Sequence, residues 1–353
     1  MGSPRMGRRA FLGGVSAGVV GSMFTGERRG VAQARGATDT EPDKPTQVAL
    51  IKGDDRRRNV RESLLAIEKE VREAIGSRQV VIKPNFVTTN KPLAATHVEA
   101  VVGILDFLKP FYKQTVVIAE SPAGAPAAKG YESYGYTKLT STYDVSLDEL
   151  DADRHRTFHV LDTQLRPTPV RMARMLCDPD FYVISAAVMK THNAVVATLG
   201  LKNVVVGGAL KFGRRSDKRQ FHQGTKLINY NMFLIAQHVR PALTVIDGYQ
   251  GMEGNGPTGG TAVDSRIAIA GTDVVATDRI GLEVMGVDFA DVGYLNYCAD
   301  AGLGQGDRSM VGVVGADPVK CVQKYKMHDR FDGQMKWKSD DFQTISLEGD
   351  IRS

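Results

Sequence analysis

Cysteine is scarce. The 353 residues hold three, Cys177, Cys298 and Cys321, and no C-x-x-C pair. An odd count at wide spacing is no disulfide framework. Without paired cysteines, neither a structural zinc module nor an iron–sulfur cluster is expected. One incidental disulfide stays open in an oxidising compartment. Long apolar runs are also missing. The best candidate, residues 11–24, is diluted by Gly13, Gly14, Gly18 and Gly21. It is too short to cross a bilayer as a helix, so no permanent membrane anchor is expected. Excess charge is absent from most of the chain. The net charge is +5, but residues 1–34 carry five Arg against one Glu and account for nearly all of it. Phosphate-backbone binding needs a basic face, and only residues 211–219 offer one, so nucleic acid is not an expected partner.

The leader is the first positive signal. Arg8-Arg9-Ala10-Phe11-Leu12-Gly13 opens the apolar stretch, and Ala32-Gln33-Ala34 supplies a small-x-small cleavage site. That order predicts a twin-arginine signal peptide over 1–34, recognition by the twin-arginine translocase, and a periplasmic or otherwise exported destination. Glu27-Arg28-Arg29 leaves the cut position open. This pathway carries folded cargo. Residues 35–46, rich in Thr, Asp, Glu and Pro, read as a flexible linker.

Beyond the linker, apolar segments alternate with helical patterns. Strands are predicted at 48–51, 79–82, 115–119, 181–188, 243–246 and 266–270, with short strands or edges at 158–161 and 170–175. Asn59 can cap a helix in which Val60, Leu64, Ile67, Val71 and Ile75 recur, ended by Gly76. Further helices are predicted from Thr96, an N-cap candidate, to 108, over 194–205 with a break at Gly200, over 226–239 and over 273–285. Runs of buried strands separated by helices predict an α/β fold, a mostly parallel sheet with helices on both faces, over 47–318. Residues 122–153 read as an insert or lid, and 319–353 as a C-terminal extension.

Four predicted strands end in charge: Lys83, Glu120, Lys190 and Asp247. In open α/β sheets ligands bind at the carboxyl edge of the strands, so the repetition points to a site there. Lys190 can hold an anionic group, and His192 can serve as acid, base or metal ligand, or simply order a loop. Lys202 and Asn203 follow on a predicted helix, where they bring a second cation to the site or cap the helix. Residues 247–257, Asp-Gly-Tyr-Gln-Gly-Met-Glu-Gly-Asn-Gly-Pro, form a glycine-rich acidic loop. Asp247 and Glu253, with Glu120, are candidate ligands for a divalent metal, the alternative being a tight structural turn. His222 lies among Arg214, Arg215, Lys218 and Arg219, either a substrate-facing cluster or a solvated loop.

Taken in order, Val-Val-Ile-Lys-Pro-Asn (80–85), Thr96-His97, Ala119-Glu120-Ser121, Met-Lys-Thr-His (189–192), Gly200-Leu201-Lys202-Asn203, His222, residues 245–257 and residues 271–278 resemble the DUF362 family. The resemblance covers about residues 47–290. It implies no particular reaction. Some members carry a ferredoxin-like cysteine cluster, which this sequence lacks. The residues themselves predict an enzyme acting on a small anionic metabolite, with Lys83, Lys190 and His192 as catalytic groups. Asn85, Lys202, Asn203 and His222 would bind substrate, and a divalent metal is an optional participant. Isomerase, lyase and hydrolase chemistry all fit. The alternatives are an anion-binding protein without turnover, or a maturation factor for another exported protein.

Overall fold

The computed structural model describes residues 45–213 and 215–339. The predicted signal peptide, most of the linker and Arg214 lie outside the described residues. The strands are β1 (Thr46–Lys52), β2 (Gln79–Lys83), β3 (Val116–Glu120), β4 (Val145–Glu149), β5 (His155–Leu161), β6 (Pro167–Ala173), β7 (Phe181–His192), β8 (Val196–Thr198), β9 (Lys211–Phe212), β10 (Arg215–Ser216), β11 (Leu243–Glu253), β12 (Thr261–Val263), β13 (Ile267–Gly271) and β14 (Val311–Gly315). The main sheet runs β14-β1-β13-β11-β7-β2-β3-β4, with β8 and β12 paired onto β7 and β11. From β11 to β4 every neighbour along this path is parallel. β13 alone opposes both of its neighbours, β1 and β11. The α/β, mostly parallel expectation is therefore met.

Alternation along the strands builds two cores. Val80 and Ile82 join Val60, Leu64, Val71, Ile104 and Leu108 on one face. Val81 turns the other way, toward Leu201, Val204, Ile228, Met232 and Ile280. The first face is covered by α1 (Arg56–Leu65), α2 (Glu68–Ile75) and α3 (Val98–Leu108). After α4 (Ala127–Ser133), the second is covered by α5 (Gly200–Val205), α6 (Thr225–Ala236), α7 (Val274–Met285) and α8 (Gly293–Asp300). β7 sits between β11 and β2, covered on both faces, which explains its uninterrupted apolar run Phe-Tyr-Val-Ile-Ser-Ala-Ala-Val.

Several local expectations are corrected. The helix expected from Asn59 to Gly76 is two helices, with a break at Ala66 and Ile67. Its cap is Asp55, whose carboxylate accepts from Arg58 N at 2.8 Å. Asn59 faces inward and donates to the carbonyls of Gly53 and Arg266. Likewise His97, not Thr96, caps α3, accepting from Glu99 N at 3.2 Å. The Thr96 hydroxyl is buried and donates to the Ala186 carbonyl at 2.6 Å. Residues 122–153, read as an insert or lid, include β4, which pairs with β3 and extends the sheet. The helix expected over 194–205 is a reversal of β7 into β8, followed by α5, which begins at Gly200. Val196 there has φ of 67°, an unusual conformation for a β-branched residue, so the backbone turns back where a helix was expected.

Candidate functional site

The four strands that end in charge are contiguous, in the order β11, β7, β2, β3. Their parallel alignment places Asp247, Lys190, Lys83 and Glu120 at one edge. β7 continues further than expected, so Lys190, Thr191 and His192 belong to the strand itself. All four charged residues are buried.

At the centre, Lys83 Nζ donates to Glu120 Oε2 at 2.6 Å, to Asn203 Oδ1 at 3.2 Å and to the Pro84 carbonyl at 3.1 Å. Asn203 is the hub. Its Oδ1 also accepts from Asn85 Nδ2 at 3.0 Å, and its Nδ2 donates to the Lys83 carbonyl and to Ser185 Oγ. Asn85 in turn accepts from Lys190 Nζ, which also donates to the Ala94 carbonyl at 2.6 Å. Lys83, Asn85, Glu120, Lys190 and Asn203 are thus one buried network.

Lys202 stands beside it on α5, 8% exposed. Burial, reinforced by the Lys83 charge, pushes its ammonium down to about 8. Lys218 is similarly pushed down to about 7 by burial and Lys83, and donates to the carbonyls of Gly207 at 2.7 Å and Ala209 at 2.8 Å. Burial pushes Lys190 well below the usual lysine range. The charges of Lys202 and Lys83 add to that, and Glu120 opposes it. His192 is held well below its ordinary value by burial first, then by Lys202, His222, Lys190 and His328. Burial and Lys202 lower His222 as well. Both imidazoles are therefore neutral near neutral pH, with opposite tautomers. His192 Nδ1 accepts from Ala194 N at 3.1 Å, which leaves its proton on Nε2. His222 Nδ1 lies 3.0 Å from the Lys218 carbonyl, which can only accept, so Nδ1 carries the proton and Nε2 is an acceptor without a partner among the described residues.

The three expected metal carboxylates do not converge. Glu120 serves Lys83 and also accepts from Ser121 N at 3.0 Å. Asp247, raised by burial against the opposing Arg56 charge, accepts from Arg56 Nε at 3.2 Å and Tyr249 N at 3.1 Å. Glu253 accepts from Lys326 N at 2.8 Å. Among the described residues, no group of three or more His, Cys, Asp or Glu gathers to hold a metal. The glycine-rich loop is a packing device. A Cβ at Gly256 would lie 2.1 Å from the Thr191 carbonyl oxygen, and the Thr191 hydroxyl donates to the Gly254 carbonyl at 2.9 Å.

Some participants escaped the sequence reading. Arg56 follows β1, another strand ending at this edge, so the strand-end rule would have found it. Asp278 accepts from Gly200 N at 2.8 Å and Leu201 N at 3.0 Å, fixing the start of α5. Residues 322–339, read only as an extension, strap the site: Gln334 Nε2 donates to the His192 carbonyl at 3.0 Å and its Oε1 accepts from Val196 N. Lys326 also closes onto Gly254, whose N–H donates to its carbonyl at 2.7 Å. No local pattern signals these long-range partners.

Comparison with known proteins adds the following. The family model described as Domain of unknown function (DUF362) matches residues 80–283. A thylakoid-associated protein of Synechocystis sp. is 27% identical over 249 residues, covering 65% of this chain and 72% of that protein. The lactate racemase apoprotein from Thermoanaerobacterium thermosaccharolyticum has a TM-score of 0.42 at 14% identity, covering 69% of this chain and 58% of that one. A Thermotoga maritima structural-genomics protein has a TM-score of 0.39 at 12% identity, covering 57% and 52%. The chain therefore spans between half and three fifths of each of these two solved chains.

Proposed function

This chain belongs to the DUF362 family, and on that premise we propose that it is an exported enzyme acting on a small anionic metabolite at the carboxyl edge of its sheet. One observation carries the reading. Lys83, Lys190, Lys202 and Lys218 are buried, the other three each within electrostatic reach of Lys83, with His192 and His222 beside Lys202 and Glu120 hydrogen-bonded to Lys83. Buried cations are costly unless paired, so an anion is the ligand this cluster favours. Lys202 and Lys190 would hold its charge. His192, with its proton on Nε2, and His222, with Nε2 unprotonated, form a donor and an acceptor for proton transfer. The carboxylates are committed elsewhere, so no step needs a metal at Glu120, Asp247 and Glu253. The twin-arginine leader supports export, and the name of the Synechocystis relative supports a membrane-side location.

Calorimetry and thermal unfolding of the mature protein with malonate and with inorganic phosphate test this. A bound anion at a hundred times its Kd should stabilise the fold by about 2.7 kcal/mol. Lys202→Met and Lys190→Met should weaken that effect. If neither anion binds or stabilises the wild type at millimolar concentration, the reading fails.

A further inference from the structure

Lysine donors at this site are unequally used. An ammonium has three N–H groups. Lys83 directs its own to Glu120, Asn203 and the Pro84 carbonyl. Lys190 is engaged by Asn85 and the Ala94 carbonyl, and Lys218 by the carbonyls of Gly207 and Ala209. Lys202 Nζ makes no hydrogen bond or ion pair among the described residues, although the residue is only 8% exposed. Its backbone is rigidly held all the same. Gly200 and Leu201 N–H groups are fixed by Asp278, the Gly200 carbonyl accepts from Ser185 Oγ at 2.9 Å, and neighbouring Asn203 is bonded on both faces of its amide. Lys202 is therefore a largely buried amine on a fixed helix start, without a hydrogen-bond partner among the described residues.

We propose that Lys202 is an amine nucleophile that forms an imine with the carbonyl carbon of a 2-oxo acid. The proposal rests on the anion reading above and names the substrate class. Desolvated lysines beside other cations are the ones that lose their proton readily, and Lys202 is pushed down to about 8 for that reason. The Nζ lone pair attacks the carbonyl carbon. The C–N bond forms as the carbon–oxygen π pair moves to oxygen, which accepts a hydrogen bond from His192 Nε2–H. His222 Nε2 takes one proton from the nitrogen and passes it to that oxygen, giving the neutral carbinolamine. The remaining nitrogen proton crosses to the hydroxyl by the same route as the C–O bond breaks and water leaves, so amine and carbonyl become imine and water with both histidines restored. The carboxylate of the 2-oxo acid stays in the field of Lys83 and Lys190.

The test uses pyruvate and borohydride on the wild-type mature protein, followed by peptide mapping in a mass spectrometer. A reduced pyruvate adduct concentrated on the peptide bearing Lys202 is expected, and Lys202→Arg should abolish it while its thermal unfolding shows that the fold is kept. No adduct at Lys202, or adducts spread evenly over surface lysines, overturns the inference. Malonate binding measured on the same preparation separates the two readings. Binding without an adduct removes the imine and spares the anion site. Neither binding nor an adduct removes both.

Discussion

Lys83 and Glu120 lie 2.6 Å apart with exposures of 0% and 2%. Removing one partner of a buried pair strands the other charge. Glu120→Ala should therefore cost about 3–5 kcal/mol in urea unfolding, whereas Lys83→Met with Glu120→Leu should cost much less. Lys202 sets the pH behaviour. Its ammonium persists below about 8 and is lost as pH rises through that value, so malonate affinity should fall over that window. In Lys202→Arg the fall should disappear, because guanidinium stays charged. A flat calorimetric pH profile in the wild type would contradict the assignment. At this scale the sequence was readable wherever a charge followed an apolar run, as at Lys83, Glu120, Lys190 and Asp247. Which residues they pair with was not readable. Arg56 meets Asp247 across 191 positions and Asn203 meets Lys83 across 120, separations that leave no local pattern.

Among the elements, α5 is tightly specified at its first residue. A Cβ at Gly200 would lie 2.2 Å from Thr244 Cγ2 and 3.0 Å from Asp278 Oδ1. Gly200→Ala should cost about 1–3 kcal/mol through overpacking. Thr244→Ala should recover much of that cost when combined with it, and additive losses in the double variant would show that the contact is not the cause. The strong strands were legible because their apolar runs are continuous. The segment 194–205 was not, because Ala-Val-Val-Ala satisfies both a helical and an extended pattern, and only pairing with β7 decides between them. Edge strand β4 was also missed: its Val-Ser-Leu-Asp-Glu sequence has little apolar content, and pairing with β3 makes it a strand.

Across the whole molecule, the order of the sheet sets a timetable. β1 lies between β13 and β14, and both of those strands follow it by more than two hundred residues. A ribosome adds ~5–20 residues per second, so β1 emerges on the order of ten to fifty seconds before β14 exists. Leu50, fully enclosed in the finished sheet, has no neighbouring strand until β13 is made, late in that interval. Because distant pairings form late, Leu50→Ala should accelerate unfolding more than it slows refolding, which stopped-flow chevrons would reveal. A nascent chain of this design carries an orphan apolar segment for most of its synthesis. Its first-made strand waits for its last-made neighbour before the sheet can close around it.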